Sequence, residues 1–300
     1  MKLTQVKGNT WVIDTPEELI PLYKLDDSRC ILMDSGLYSE REELDSLLQR
    51  NGLTPVGILC SHAHVDHCAN NGYFQKKYGA KVALTVPEAG MCSTVLTLKC
   101  YFLMLSPGTV ERESSCMIHT PDVFIPTEDC TYSFCGVDFR ILHTPGHSSG
   151  HVCAITPDNV CYTADALLSA ELMEAKLPYH LGHHTAERSR QKLLGLGCDA
   201  YIMAHHGICS DDEIDDLVAA NDALIRRRAD EILALITQPM TASEIVQASC
   251  EYFKLFSKRP ARTLRFERNI RFFIEYLVDE GRLEMLFGKG TTSFQPAPRD

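Results

Sequence analysis

The stretch Ser61-His-Ala-His-Val-Asp-His67 constrains this chain more than any other. It follows Val56–Cys60, a short apolar run that reads as a strand, and leads into a helical pattern that closes near Tyr78 before Gly79. A His-x-His-x-Asp-His string arises by chance in about one chain in a thousand of this composition. Imidazole and carboxylate are borderline ligands that suit zinc or iron. Alternating positions after a strand set His62 and His64 side by side at one cation. Asp66 and His67, on the turn into the helix, then face a second. Structural zinc sites close with four ligands, usually including cysteine. This string contains none, so it needs partners from elsewhere in the chain.

Three segments offer them. His147 stands in His143-Thr-Pro-Gly-His147, Asp165 ends Tyr162-Thr-Ala-Asp165, and a third pair stands in His205-His-Gly207. Each follows an apolar strand pattern, as the first string does, and neighbouring strands of one sheet can bring such ends to a single edge.

The rest of the chain reads as two units, about what 300 residues suggest. Up to about residue 210, short strand patterns (Thr10–Ile13, Leu19–Leu25, Cys30–Met33, Lys81–Val86, Phe139–Leu142, Val152–Ile155, Val160–Thr163, Ala200–Met203) alternate with helical stripes. Ser39 with Glu42 predicts a capping box for a helix carrying Leu44, Leu47 and Leu48. Residues 91–118 form a dense apolar patch, read as a core helix or the face of a homodimer, with a substrate lid as the alternative. Beyond Ser210 the pattern is helical. Capping boxes at Ser210/Glu213 and Thr241/Glu244 open two helices, a third spans about Thr263 to Glu280, and residues 282–294 read as a β-hairpin. The division is therefore placed at 1–210 and 211–300. Charge shifts with it: residues 251–300 carry 10 Lys+Arg against 7 Asp+Glu, whereas the first 250 carry 19 against 33.

A net charge of −11 argues against a protein that coats nucleic acid wholesale. No apolar run approaches the ~20 residues that cross a bilayer, and the first ten residues lack a secretory signal's apolar stretch, so the expectation is a cytoplasmic protein. The 13 cysteines are odd in number, form no Cys-x-x-Cys pair and often lie inside apolar strands. They read as buried free thiols.

The ordered histidine and aspartate motifs resemble those of the metallo-β-lactamase-fold hydrolase superfamily across about residues 5–210. The resemblance implies an α+β fold, an αββα sandwich, with a dinuclear metal site. Carried over residue by residue, His62, His64 and His147 hold metal 1. Asp66, His67 and His206 hold metal 2, and Asp165 bridges them. His206 is preferred to His205 because the last histidine of the family usually precedes glycine. Two divalent metal ions are implied, zinc foremost, with iron or manganese as alternatives. Asp66 is also expected to orient the metal-bound hydroxide, and the Asp34-Ser-Gly36 turn looks like a family element that supports the site without binding metal. His143 and His151 read as neighbours of the ligands, His180, His183 and His184 as surface residues, and His119 has no motif around it.

Two cations ~3.5–4 Å apart lower the pKa of a shared water enough to supply hydroxide at neutral pH. Hydrolysis follows from such a site; the bond to be cut does not. His143-Thr-Pro-Gly-His-Ser-Ser-Gly-His151 looks like the corresponding segment of glyoxalase II thioesterases. Residues 211–300 resemble the winged-helix tail of β-lactamase-like endoribonucleases. Flavodiiron members carry glutamate where His64 stands, and the persulfide dioxygenase branch uses fewer ligands, so an iron-dependent oxidoreductase is the more distant reading. The expectation is a metallo-hydrolase of a small ester-type substrate, a thioester or lactone, with an endoribonuclease or phosphodiesterase as the alternative. The expected partner is a small-molecule substrate and no membrane. A nucleic-acid partner is disfavoured, although Lys258, Arg259, Arg262, Arg265, Arg268 and Arg271 recur along the third helix and its approach.

Overall fold

Seven strands, β1 (Lys2–Lys7), β2 (Thr10–Asp14), β3 (Leu19–Lys24), β4 (Arg29–Met33), β5 (Thr54–Leu59), β6 (Lys81–Thr85) and β7 (Val123–Ile125), lie side by side in chain order in a computed structural model that describes residues 1–102, 105–174, 177–288 and 290–298. The strands pair antiparallel from β1 to β4, where short turns connect them, and parallel from β4 to β7. Parallel pairing needs crossovers. These are α1 (Arg41–Arg50), then α2 (Val65–Cys68) with α3 (Asn71–Tyr78), then α4 (Val86–Met91), α5 (Val95–Tyr101) and α6 (Pro107–Ser114).

The second sheet runs in reverse chain order from β13 (Gly207–Cys209) through β12 (Ala200–Met203), β11 (Val160–Ala164), β10 (Val152–Ile155) and β9 (Val137–His143) to β8 (Cys130–Phe134). Only the β11–β12 pair among these is parallel, and α7 (His183–Gln191) lies in its crossover. Ile31, Met33 and Leu59 of the first sheet pack with Phe139, Val152, Tyr162 and Ile202 of the second. Leu44, Leu47 and Leu48 of α1 and Phe74 of α3 cover the outer face of the first sheet, as Leu193, Ile214 and Val218 cover that of the second. The result is an αββα sandwich. Strands covered on both faces have to be apolar throughout, and β10 and β11 are buried at every position. Each fully buried Ile, Leu or Val contributes ~1.5–3 kcal/mol, so the layers hold without cross-links.

The helices α8 (Asp211–Ala234), α9 (Ala242–Tyr252) and α10 (Pro260–Asp279) follow, with a small sheet of β14 (Met240–Thr241), β16 (Thr291–Pro296) and β15 (Leu283–Gly288). The capping boxes at Ser210 and Thr241 form as the sequence predicts. The one predicted at Ser39 does not: a 3-10 turn over Tyr38–Glu40 takes its place, and α1 starts after Glu40 without a side-chain cap. Ile214 and Val218 of α8 pack on the second sheet, whereas its Ile225, Ala229 and Ile232 join Phe273, Ile274 and Leu277 of α10 in a separate core.

Within 91–118, Leu98 and Val110 are buried as a core reading requires, while Tyr101 reaches the donor cluster described below. Leu103 and Met104 of that patch lie outside the described residues. Among the described residues, no helix is long and apolar enough to cross a membrane.

Candidate metal centre

The loop that follows β5 is held in shape by two buried carboxylates. Asp34, at the end of β4 with a left-handed φ of 76°, accepts from Ser61 N (2.6 Å), Ser61 Oγ (2.7 Å) and Tyr162 Oη (2.7 Å). Glu88 of α4 accepts from Ala63 N (2.9 Å), and from Ser148 Oγ (2.7 Å) and Gly150 N (2.6 Å) of the loop before β10. The two donor-bearing loops are thereby tied to one side chain. Gly146 has a φ of 132°, and a Cβ there would lie 2.3 Å from Ala186 N of α7. Only glycine fits beside His147.

Two groups of ligating atoms result, one of His62, His64, His147 and Asp165, the other of Asp66, His67 and His205. His64 Nδ1 lies 3.0 Å from His62 Nε2 and 2.8 Å from His147 Nε2. Asp165 Oδ2 stands between the groups, 3.1 Å from His147 Nε2, 4.0 Å from His62 Nε2, 3.6 Å from His67 Nε2 and 3.5 Å from His205 Nε2. Asp66 faces His67 Nε2 at 3.9 Å and His205 Nε2 at 3.7 Å.

The outer nitrogen of every ring has its own partner. His62 Nδ1 meets Ser61 Oγ at 3.0 Å, and His64 Nε2 meets Tyr101 Oη at 2.5 Å. His67 Nδ1 donates to Asp34 Oδ2 (2.8 Å), His147 Nδ1 to Tyr179 O (3.1 Å) and His205 Nδ1 to Glu17 O (3.1 Å). Such contacts fix the tautomer, leaving five inward lone pairs beside two carboxylates. Acceptors facing acceptors repel unless a cation sits among them. His67 Nε2 is buried with no hydrogen-bond partner at all. The donor set therefore fits divalent metal ions bound by nitrogen and oxygen.

The proton affinities say the same. Burial opposes a charge on His67, yet Glu18, Asp165, Asp34 and Asp66 outweigh it and push its pKa well up. Asp165 above all raises His205 to about 10 against the opposing effect of burial. Burial would raise the Asp165 carboxyl, but His205, His147 and His67 hold it well below the usual range. Positive charge is thus drawn to the His67 and His205 side of the pocket, whereas burial above all pushes the pKa values of His62 and His64 well down.

The structure thus brings His62, His64, Asp66, His67, His147 and Asp165 together. His206, predicted as the last donor, stands apart. Its φ of 54° turns the ring outward, with Nε2 3.3 Å from Pro16 O and Nδ1 3.7 Å from Asp14, and His205 occupies the inward position instead. His151 lies behind the donors, accepting from Asp165 N at 3.3 Å, and His143 belongs to neither group. His180 and His183 are not surface residues: they are 1% and 3% exposed, His180 beside Arg190 of α7 and His183 covered where α7 meets α10. Sequence reasoning missed Glu88 and Tyr179, and took in Tyr101 only as part of the apolar patch 91–118.

A cavity of about 200 Å³ opens over the donors, lined by Tyr101, Phe102, Tyr179, Arg265 and Arg268 as well as by His64, His147 and Asp165. A second, mainly apolar one of about 220 Å³ shares Phe102, Arg265 and Arg268 with it and extends past Leu105, Ala261 and Leu264. Helix α10 thus forms one wall of the site.

Solved structures share this architecture over nearly the whole chain. A metallo-beta-lactamase family protein from Thermus thermophilus superposes with a TM-score of 0.71 at 22% identity, covering 95% of this chain and 97% of that one. A beta-lactamase domain protein from Burkholderia ambifaria gives 0.72 at 17% identity, covering 99% and 94%. Among curated relatives, hydroxyacylglutathione hydrolase GloC of Haemophilus influenzae is 26% identical over 186 residues, 61% of this chain and 82% of that protein. Hydroxyacylglutathione hydrolase of Mesorhizobium japonicum is 27% identical over 176 residues, 57% of this chain and about half (49%) of its own length. The family model described as "Metallo-beta-lactamase superfamily" matches residues 4–206. That span takes in nearly all of both sheets, short of β13, and every donor gathered at their edge, and by it the chain belongs to the metallo-beta-lactamase superfamily of metal-binding hydrolases.

Proposed function

We propose that this chain hydrolyses a small, anionic ester-type substrate, a thioester or lactone, at a dinuclear centre. In this reading His62, His64, His147 and Asp165 hold one cation, and Asp66, His67, His205 and the shared Asp165 hold the other, with zinc as the metal. When bound, such a pair supplies an ionised water nucleophile at neutral pH and a Lewis acid for the carbonyl. Asp66, 27% exposed at its side chain and facing the cavity, accepts a hydrogen bond from the attacking water and orients it. Arg265, on the cavity wall, pairs with the anionic end of the substrate. Tyr101 and Tyr179, joined at 3.2 Å through their hydroxyls, exclude bulk water from one side. Burial raises the pKa of both, so both remain phenols that can donate.

The observation that carries this reading is the pair of adjoining cavities, about 200 and 220 Å³, the first lined by the donors with Arg265 and Arg268 and the second mainly apolar. Their size suits a small molecule with one charged and one apolar end. Helix α10 crosses the approach, and Arg268 is committed to Tyr101 O at 2.7 Å, which leaves less of the basic face for a polynucleotide. The relatives named as hydroxyacylglutathione hydrolases support the thioester class.

The test is a hydrolysis panel on zinc-loaded protein: S-D-lactoylglutathione, acyl-CoA, homoserine lactones, bis-p-nitrophenyl phosphate and single-stranded RNA. Turnover of a thioester or lactone is expected, with KM rising at least tenfold in Arg265→Ala. Activity confined to the phosphodiesters overturns the proposal.

A further inference from the structure

Beside the donor loop, a second group of ligating side chains has no part in the hydrolytic reading. Cys68, Cys92 and His119 are all buried, and their ligating atoms lie within 4.8 Å of one another. They come from three separate places: the last residue of α2, the residue that caps α4, and the extended chain just past the 3-10 turn Ser115–Met117. Two thiols and an imidazole make a softer donor set than the nitrogen–oxygen centre, the chemistry of thiolate-rich zinc sites.

The imidazole is already set for such a role. His119 Nδ1 donates to Met117 O at 2.9 Å, and Asn71 Nδ2 donates to His119 Nε2 at 3.1 Å. The contact to Met117 O holds the ring in the tautomer whose lone pair is on Nε2, and a cation bound there takes the place of the Asn71 amide. Cys116, three residues before His119 and only partly buried, stands within electrostatic reach of Cys68 and Cys92. The buried Cys60 is another thiol beside the same pair, so both are candidates for a fourth position. Free buried cysteines commonly pack as small apolar groups. That reading covers the two thiols alone; the third ligating side chain, brought within 4.8 Å of them, is what a cation site accounts for.

We propose that Cys68, Cys92 and His119 form a separate cation site of the zinc class, which fastens the helical segment 91–118 to α2. Both thiols bind as thiolates and release their protons to solvent, so no oxidant or reductant is involved. The site clamps two functional pieces together: α2 carries Asp66 and His67, and the segment it joins carries Tyr101.

The experiment uses the full chain, purified under reducing conditions, stripped with chelator and titrated with Co(II) alone. Thiolate coordination gives a near-ultraviolet thiolate-to-cobalt charge-transfer band, which histidine and aspartate donors cannot give. The band is expected in the wild type. It should be lost in Cys92→Ala and in Cys68→Ala, and appear only at tenfold or higher Co(II) in His119→Gln. Zinc content should fall by one equivalent in Cys92→Ala while the remaining zinc is kept. Far-ultraviolet circular dichroism identifies a variant that fails to fold, and His119→Gln then carries the decision. A wild type without the band, or a band that survives unchanged in His119→Gln and either cysteine variant, overturns the proposal.

Discussion

Tyr101 Oη lies 2.5 Å from His64 Nε2, and the Arg268 guanidinium of α10 sits 4.4 Å from the centre of the same tyrosine ring. The helical segment before β7 and the last long helix of the chain therefore meet on one donor imidazole. Partners that orient a ligating histidine commonly change metal affinity 10–100-fold when removed.

Tyr101→Phe should accordingly weaken the cation held by His62, His64 and His147 by about tenfold. It removes the hydroxyl while keeping the ring that Arg268 stacks against. Competition with a chromophoric chelator measures this, and an unchanged affinity would separate Tyr101 from the centre. Arg268→Ala should act in the same direction more weakly, because it releases Tyr101 O and one face of the ring.

Glu88 holds both donor loops at once, so its substitution should register far from α4. In Glu88→Gln one carboxylate oxygen becomes an amide N–H facing Ala63 N, Ser148 Oγ or Gly150 N. A buried donor facing a donor costs ~1–3 kcal/mol. The variant should be less stable by that amount in urea unfolding, with metal affinity reduced at least tenfold. Wild-type affinity in a destabilised Glu88→Gln would show that the loops keep their geometry without it.

The metal ledger tests the donor assignment directly. Asp165 Oδ2 faces four imidazole nitrogens from both groups. Asp165→Ala should therefore retain clearly fewer than two equivalents at the main centre. His205→Ala should lose the ion shared with Asp66 and His67, whereas His206→Ala should keep full content, since its ring faces Pro16 and Asp14. Elemental analysis of the three proteins decides it, and metal loss in His206→Ala comparable to that in His205→Ala would refute the geometry.

The same pair shows where the sequence stops being informative. His-x-His-x-Asp-His fixes its own geometry, because strand-then-helix spacing aims four side chains from six consecutive residues. His205 and His206 are adjacent and chemically identical. A single left-handed residue decides which faces inward, and nothing in the sequence marks it. Glu88 is harder still: an acid in the first turn of a short helix has an ordinary local explanation, and its partners lie 25 residues back and about 60 residues further on. Ser39 offered a capping box by pattern, yet the 3-10 turn took that position. The capping boxes at Ser210 and Thr241 were legible because donor and acceptor are three residues apart and no distant contact competes. His183 looked like surface because its neighbours are polar, whereas α10, nearly a hundred residues later, covers it.

That cover gives His183 a measurable signature. Its ring centre lies 4.1 Å from that of Phe273 and 5.5 Å from that of Tyr276, and neither of its nitrogens has a hydrogen-bond partner. Burial above all, then the nearby Arg190 charge, pushes its pKa down to about 3. In the unfolded chain the imidazole takes up a proton near pH 6.5. Between about 6.5 and 3 the unfolded state therefore binds the extra proton, and stability falls as the pH falls, by up to ~1.4 kcal/mol per pH unit. Above pH 6.5 both states are neutral at this residue and it contributes no slope. Among the donor histidines, His62 and His64 add slope of the same sign and His67 and His205, whose pKa values are raised, act over other ranges, so the readout is a difference between two proteins. In chelator-treated protein, His183→Leu should lose less stability than the wild type between pH 7.5 and pH 5.5, by about 1 kcal/mol in urea unfolding. Parallel pH profiles for the two proteins would show that His183 takes up its proton without leaving its place between α7 and α10.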